Sequence, residues 1–126
     1  MQIEKSIGSN FEYSSNDEKR FFLPYPVNEG TIRIDGSEKK TALIGKQVSP
    51  GKNLYVIPIG RLKYTYGDRE EKLVIAIPAE KKYRTMEITG YDELITEYYT
   101  AKKTLEYWYA NRYGLGSVTD MHWSAF

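Results

Sequence analysis

Between residues 31 and 79 the chain is cut into short apolar runs by turn-forming pairs. After residue 90 its apolar residues space themselves as on a helix. Thr31-Ile32-Arg33-Ile34 alternates, Thr41-Ala42-Leu43-Ile44 is a short apolar run, and Leu54 to Leu62 is longer. Leu73 to Ile77 is continuously apolar, as a strand buried on both faces would be. Asp35-Gly36-Ser37-Glu38, Ser49-Pro50-Gly51-Lys52 and Tyr66-Gly67-Asp68 separate them, and each has the composition of a turn. Short strands with regular turns predict a small closed or nearly closed barrel. Beyond them, Leu94, Tyr98, Ala101, Leu105 and Trp108 recur at steps of four and three, one face of a helix over about residues 93–111. Asp92 or Thr89 is positioned to cap its start and Gly114 to end it. Trp123 and Phe126 are expected to return to the core or to meet a partner.

Size and composition narrow the function. A chain of 126 residues forms one domain, residues 1–126, with a single core. A net charge of +1 lacks the basic excess that holds nucleic acid non-specifically, so nucleic acid is not the expected partner. With no cysteine there is neither a disulfide nor a thiolate metal site, which suits a reducing cytoplasm. The first residues, Met1-Gln2-Ile3-Glu4-Lys5, carry no apolar signal core, and no run is long enough to span a membrane. A cytoplasmic location and no membrane partner are the expectation. Twelve tyrosines are the unusual feature. Their rings fit half-buried sheet surfaces, and their hydroxyls reach phosphates or carboxylates.

Five segments in order carry a family resemblance. They are Tyr25-Pro26-Val27-Asn28-Glu29-Gly30, Asp35-Gly36-Ser37-Glu38-Lys39-Lys40, Pro50-Gly51, Pro58-Ile59-Gly60-Arg61-Leu62, and Lys72-Leu73-Val74-Ile75-Ala76-Ile77-Pro78. Tyr83, an acidic residue and leucine before the helix, and the aromatic end of that helix complete the series. Over residues 10 to 123 this order resembles the soluble inorganic pyrophosphatases. The resemblance implies an OB-like five-stranded barrel, α+β and mainly β, with a long C-terminal α-helix. It also implies hydrolysis of pyrophosphate by magnesium ions held in a cage of carboxylates, with lysine, arginine and tyrosine on the phosphates.

Carried over position by position, the resemblance makes Asp35 and Glu70 the catalytic carboxylates. It makes Asp35, Asp68, Glu70 and Glu12 the metal ligands. Lys72, Tyr109 and Arg20 become the phosphate contacts. The first metal-binding aspartate of the acidic turn falls on Tyr66, or on Asp68 if the gap is shifted. Other positions depart from the pattern: Ser37 and Lys40 stand where two further aspartates would, Glu29 replaces a tyrosine, and Ala110 replaces a lysine. A lysine at a metal-ligand position repels the cation that an aspartate attracts. The resemblance therefore implies a diverged, shortened member with an incomplete ligand set.

Simpler roles exist for the same residues. Asp35-Gly36 is a turn signal by itself, and Glu70-Glu71 reads equally as a solvated hairpin tip. Lys72 can merely flank a strand, and Tyr98, Tyr107 and Tyr109 can be helix packing. His122, the only histidine, has no partner at a zinc-site spacing. The expectation is a domain with weakened or lost hydrolysis that binds a phosphate or pyrophosphate-like ligand, or mediates an interaction such as a homo-oligomer. Its competitors are an active magnesium-dependent hydrolase of pyrophosphate or a related phosphoanhydride, and an oligonucleotide- or protein-binding barrel. Magnesium is the cofactor if the domain is active, and there is none otherwise.

Overall fold

Two hairpins organise the domain. The computed structural model describes the backbone of residues 1–14 and 20–126 and the side chains of residues 1–11 and 23–126. Asp35-Gly36 joins β4 (Asn28–Ile34) to β5 (Ser37–Leu43). Both turn residues have positive φ, 50° and 79°, the mirror-image turn whose twist matches that of paired strands. Gly67-Asp68 joins β6 (Val56–Tyr66) to β7 (Arg69–Pro78), with Gly67 supplying a φ of 62°. The hairpins meet through a parallel pairing of β5 with β7.

The strand order is β1-β4-β5-β7-β6-β8, with β1 spanning Gln2–Lys5 and β8 spanning Val118–Ala125. A separate antiparallel pair, β2 (Asn10–Ser14) and β3 (Arg20–Pro24), stands beside this sheet. Among the described residues the two end strands, β1 and β8, do not pair with each other. The expected closed five-stranded barrel is thus replaced by an open, mixed six-stranded sheet. The reason lies in the C-terminal segment. Its eight residues add β8 along β6 and so form one edge of the sheet, while β1 forms the other.

The expected long helix is also different. It is two helices, α1 (Tyr91–Thr96) and α2 (Tyr99–Asn111), and a strand rather than a helix ends the described chain. The β-branched pair Ile95-Thr96 weakens α1 at its end, and the Thr96 hydroxyl donates back to the Asp92 carbonyl at 2.7 Å. The Tyr98 N–H then reaches the Glu93 carbonyl at 3.0 Å, five residues back, which closes the turn. Gly90 occupies the N-cap of α1, so neither Asp92 nor Thr89 caps it. Thr89 donates instead to the Glu93 carboxylate. Gly114, at φ 116°, does turn the chain just past α2.

The apolar face read from the sequence survives the break. Leu94 and Leu105 are buried, and Tyr98, Ala101 and Trp108 pack partly buried against the same core. That core lies between the helices and one sheet face, built from Leu62, Leu73, Ile75 and Ile77. The opposite face carries a second cluster of Ile3, Leu43, Val48, Leu54 and Ala76. Every residue from Leu73 to Pro78 is buried, as a strand flanked by β5 and β6 and covered on both faces requires. Trp123 packs against the first core, and the Phe126 ring lies under the Arg61 guanidinium at 4.3 Å. Among the described residues no helix is long and apolar enough to cross a membrane.

Candidate active site

The helix-side face of the sheet is apolar at one end and polar at the other. Strand alternation sets the change. Glu71, Leu73 and Ile75 share one face of β7, while Glu70 and Lys72 share the other. On β6, Tyr64 lies directly opposite Glu71, and on β4, Glu29 points the same way towards α2. Past the last turn of α2, Arg112 turns into the space between them.

The result is a buried polar cluster. The Tyr109 hydroxyl donates to Glu29 Oε2 at 2.6 Å, and Lys40 Nζ stands 3.6 Å from Glu29 Oε1. Arg112 reaches both carboxylates, with Nη1 at 3.8 Å from Glu29 Oε2 and Nη2 at 3.5 Å from Glu71 Oε2. Tyr64 donates to Glu71 Oε2 at 3.0 Å and accepts from Arg112 Nη2 at 3.3 Å. Arg112 is only 2% exposed. Its guanidinium faces the rings of Tyr113, Tyr109, Phe11 and Trp108 at 4.7 to 5.6 Å. Two carboxylates and two cations make the set formally neutral, which is the condition for burying charges at tolerable cost.

The protonation states follow from the burial. Desolvation raises Tyr109, and the Glu29 charge beside it raises it further, so it stays a neutral donor to a carboxylate. Burial raises Tyr64 and Tyr113 in the same way, and pushes Tyr25 up to about 12. Lys40 is lowered, chiefly by burial and then by the Arg112 charge, against the opposing pull of Glu29. Burial works against the Arg112 cation, but the surrounding tyrosines and Glu29 more than offset it, and its pKa rises.

The positions singled out in the sequence are scattered around this cluster. Asp35 is exposed at the tip of the β4–β5 hairpin and Asp68 at the tip of the β6–β7 hairpin. Glu70 and Lys72 lie on the side of β7 opposite the cluster, where Glu70 bridges Lys63 at 3.4 Å and Lys72 at 3.9 Å. Ser37 is exposed, and Tyr66 stacks on Tyr113 at 4.3 Å. Glu12 and Arg20 lie on β2 and β3, and their side chains fall outside the described residues. Of the proposed catalytic, metal and phosphate residues with described side chains, Tyr109 alone sits inside the cluster, with its hydroxyl committed to Glu29; Glu29 and Lys40, two of the positions that depart from the family pattern, join it there.

Sequence reasoning passed over Arg112 and Tyr64 and read Glu71 as part of a solvated hairpin tip, whereas its carboxylate faces Tyr64 and Arg112. A signal existed for Glu71, because it is in phase with Leu73 and Ile75 whereas Glu70 is not. For Arg112 the only sign was its place among Trp108, Tyr109 and Tyr113 at the end of a helix. An apolar groove of about 360 Å³ lies elsewhere, between α2 and the segments around Val27 and Ile44.

This architecture has known counterparts. The chain superposes on an inorganic pyrophosphatase from Neisseria gonorrhoeae with a TM-score of 0.66 at 17% identity, over 98% of this chain and 80% of that one. An inorganic phosphatase from Anaplasma phagocytophilum gives 0.55 at 21% identity, over 98% and 79%. An inorganic pyrophosphatase from Coxiella burnetii gives 0.52 at 21%, over 79% and 68%. This chain has the inorganic pyrophosphatase fold. No protein-family profile matches it, and neither does any curated protein. At these identities the likeness is one of fold.

A pyrophosphatase fold raises the question of magnesium, and the donor set answers it. Magnesium demands near-octahedral oxygen ligands at about 2.0–2.1 Å. The two carboxylates facing the cluster, Glu29 and Glu71, are occupied by Arg112, Lys40 and two tyrosine hydroxyls. Among the described residues no three or more Asp, Glu or His side chains gather to hold a metal ion. The residues of this cluster do not fit a magnesium cage.

Proposed function

We propose that this pyrophosphatase-fold domain has weak or no magnesium-dependent pyrophosphate hydrolysis and serves as a module that binds a phosphate-bearing ligand. One observation carries the proposal: buried Arg112 lies between the carboxylates of Glu29, buried, and Glu71, partly buried, and neutralises them from within. Hydrolysis of a phosphoanhydride needs metal ions that activate water and spread the charge of the transferred group. Asp35, Asp68 and Glu70 are the carboxylates left outside the cluster, with the Glu12 side chain beyond the described residues, and among the described residues no three acidic groups gather to hold an ion. Lys72 and Arg20 are the cations we assign to the phosphate ligand. The cytoplasm and a homo-oligomer are the setting that suits such a module.

The test is phosphate release from pyrophosphate in excess magnesium. Turnover well below the usual enzymatic range of about 1 to 1,000 per second is expected. Turnover within that range, abolished by Asp35→Asn, would overturn the proposal. Calorimetry with pyrophosphate alone should then show saturable binding that Lys72→Ala weakens.

A further inference from the structure

Two carboxylates on the helix-side face, Glu29 buried and Glu71 partly buried, share one cation. In this domain the cation is Arg112, and its surroundings are built for it. Its guanidinium stands 3.8 Å from Glu29 Oε2 through one terminal nitrogen and 3.5 Å from Glu71 Oε2 through the other. Four aromatic rings wall it in, and Nε has no hydrogen-bond partner among the described residues. What fixes Arg112 here is charge, held between the carboxylates.

We propose that Arg112 occupies the position of a cation shared by Glu29 and Glu71, and that it is the residue that excludes divalent metal ions from this site. The inference rests on the proposal above that metal-dependent hydrolysis is weak or absent, and it names the residue responsible. The physical reason is additive repulsion. A guanidinium remains charged at any pH the fold survives, and a second cation within a few ångströms of it would meet an unfavourable Coulomb interaction. Lys40, at the rim beside Glu29, adds to that barrier. With Lys40 still beside Glu29, replacing the guanidinium by the shorter, neutral amide of glutamine would leave two carboxylates and two tyrosine oxygens around the vacated space. Those are hard oxygen donors of the kind magnesium and manganese take.

The experiment compares the wild-type chain with Arg112→Gln and with Arg112→Gln/Glu71→Gln. Manganese and magnesium are titrated by calorimetry, and thermal unfolding is followed with and without each ion. Arg112→Gln is expected to bind manganese with one site at least tenfold more tightly than the wild type. Its unfolding temperature should rise with added metal. Adding Glu71→Gln should abolish both effects. If Arg112→Gln does not fold by itself, refolding in manganese supports the proposal when the metal restores the fold, and overturns it when it does not. A folded Arg112→Gln protein with no gain in metal binding also overturns it. Tight magnesium binding by the wild type would instead sink the functional proposal on which this one rests.

Discussion

Replacing Tyr109 by phenylalanine removes one oxygen atom and tests whether the buried cluster holds the domain together. The hydroxyl donates to Glu29 Oε2 at 2.6 Å, and both residues are almost wholly buried. Without it, that oxygen keeps only Arg112 at 3.8 Å, a distance too long for a good hydrogen bond. A hydrogen bond to a charged group contributes about 1.5–3 kcal/mol, and the unpaired oxygen cannot reach water to compensate. The ring stays in place, so packing losses are small. The expected loss is therefore about 2 kcal/mol, read as a lower urea midpoint at unchanged slope. Tyr109→Phe combined with Glu29→Gln should lose less than the sum of the single changes, because the two residues are in contact. A loss below about 0.5 kcal/mol, or strict additivity in the double variant, would refute the reasoning.

Alternation along β7 predicts that Glu71→Gln destabilises by about 1.5–3 kcal/mol, because it leaves Arg112 short of a carboxylate. Glu70→Gln, on the solvated side, should change stability by less than about 0.5 kcal/mol. Equal effects in denaturant titrations would show that the strand faces are misassigned. Leu105→Ala should cost about 2–5 kcal/mol, since Leu105 lies inside the main core; a change near zero would mean that α2 does not rest on the sheet. Alkaline pH should also unfold the domain. Tyr25, Tyr64, Tyr109 and Tyr113 have native pKa values raised above the unfolded value near 10, so above pH 10 the native state holds more protons than the unfolded chain. Stability is then lost as pH rises, at about 1.4 kcal/mol per pH unit for each such tyrosine. Lys40 and Tyr83, lowered in the native state, act in the opposite sense, while Tyr91, raised by burial, acts with the four. An unchanged urea midpoint between pH 9 and 11.5, with all phenols ionising near 10 by absorbance, would contradict this.

Much of the local architecture was legible in the residues. Asp35-Gly36 dictates its turn because few other pairs tolerate two positive φ values. Gly67 does the same at its hairpin, and the continuous run Leu73–Ile77 announces a strand covered on both faces. The face formed by Leu94, Tyr98, Ala101, Leu105 and Trp108 is where the sequence places it, even though the helix breaks within it. These features depend on neighbours a few residues apart, so composition and period suffice to find them.

Sheet closure and the cluster depended on contacts that no local pattern encodes. Val118–Ala125 has no clean alternation, and it becomes a strand only because β6 offers an edge to pair with. Family positions drew attention to Glu70 and away from Glu71, and only the register of β7 against β6 shows which of the two faces inward. Glu29 and Tyr109 are 80 residues apart, and Arg112 is 41 from Glu71. Each side chain alone reads as an ordinary surface or packing residue. Their joint burial settles the chemistry, because a carboxylate withdrawn from water must find a cation, and the tertiary fold determines that the cation is an arginine of the same chain.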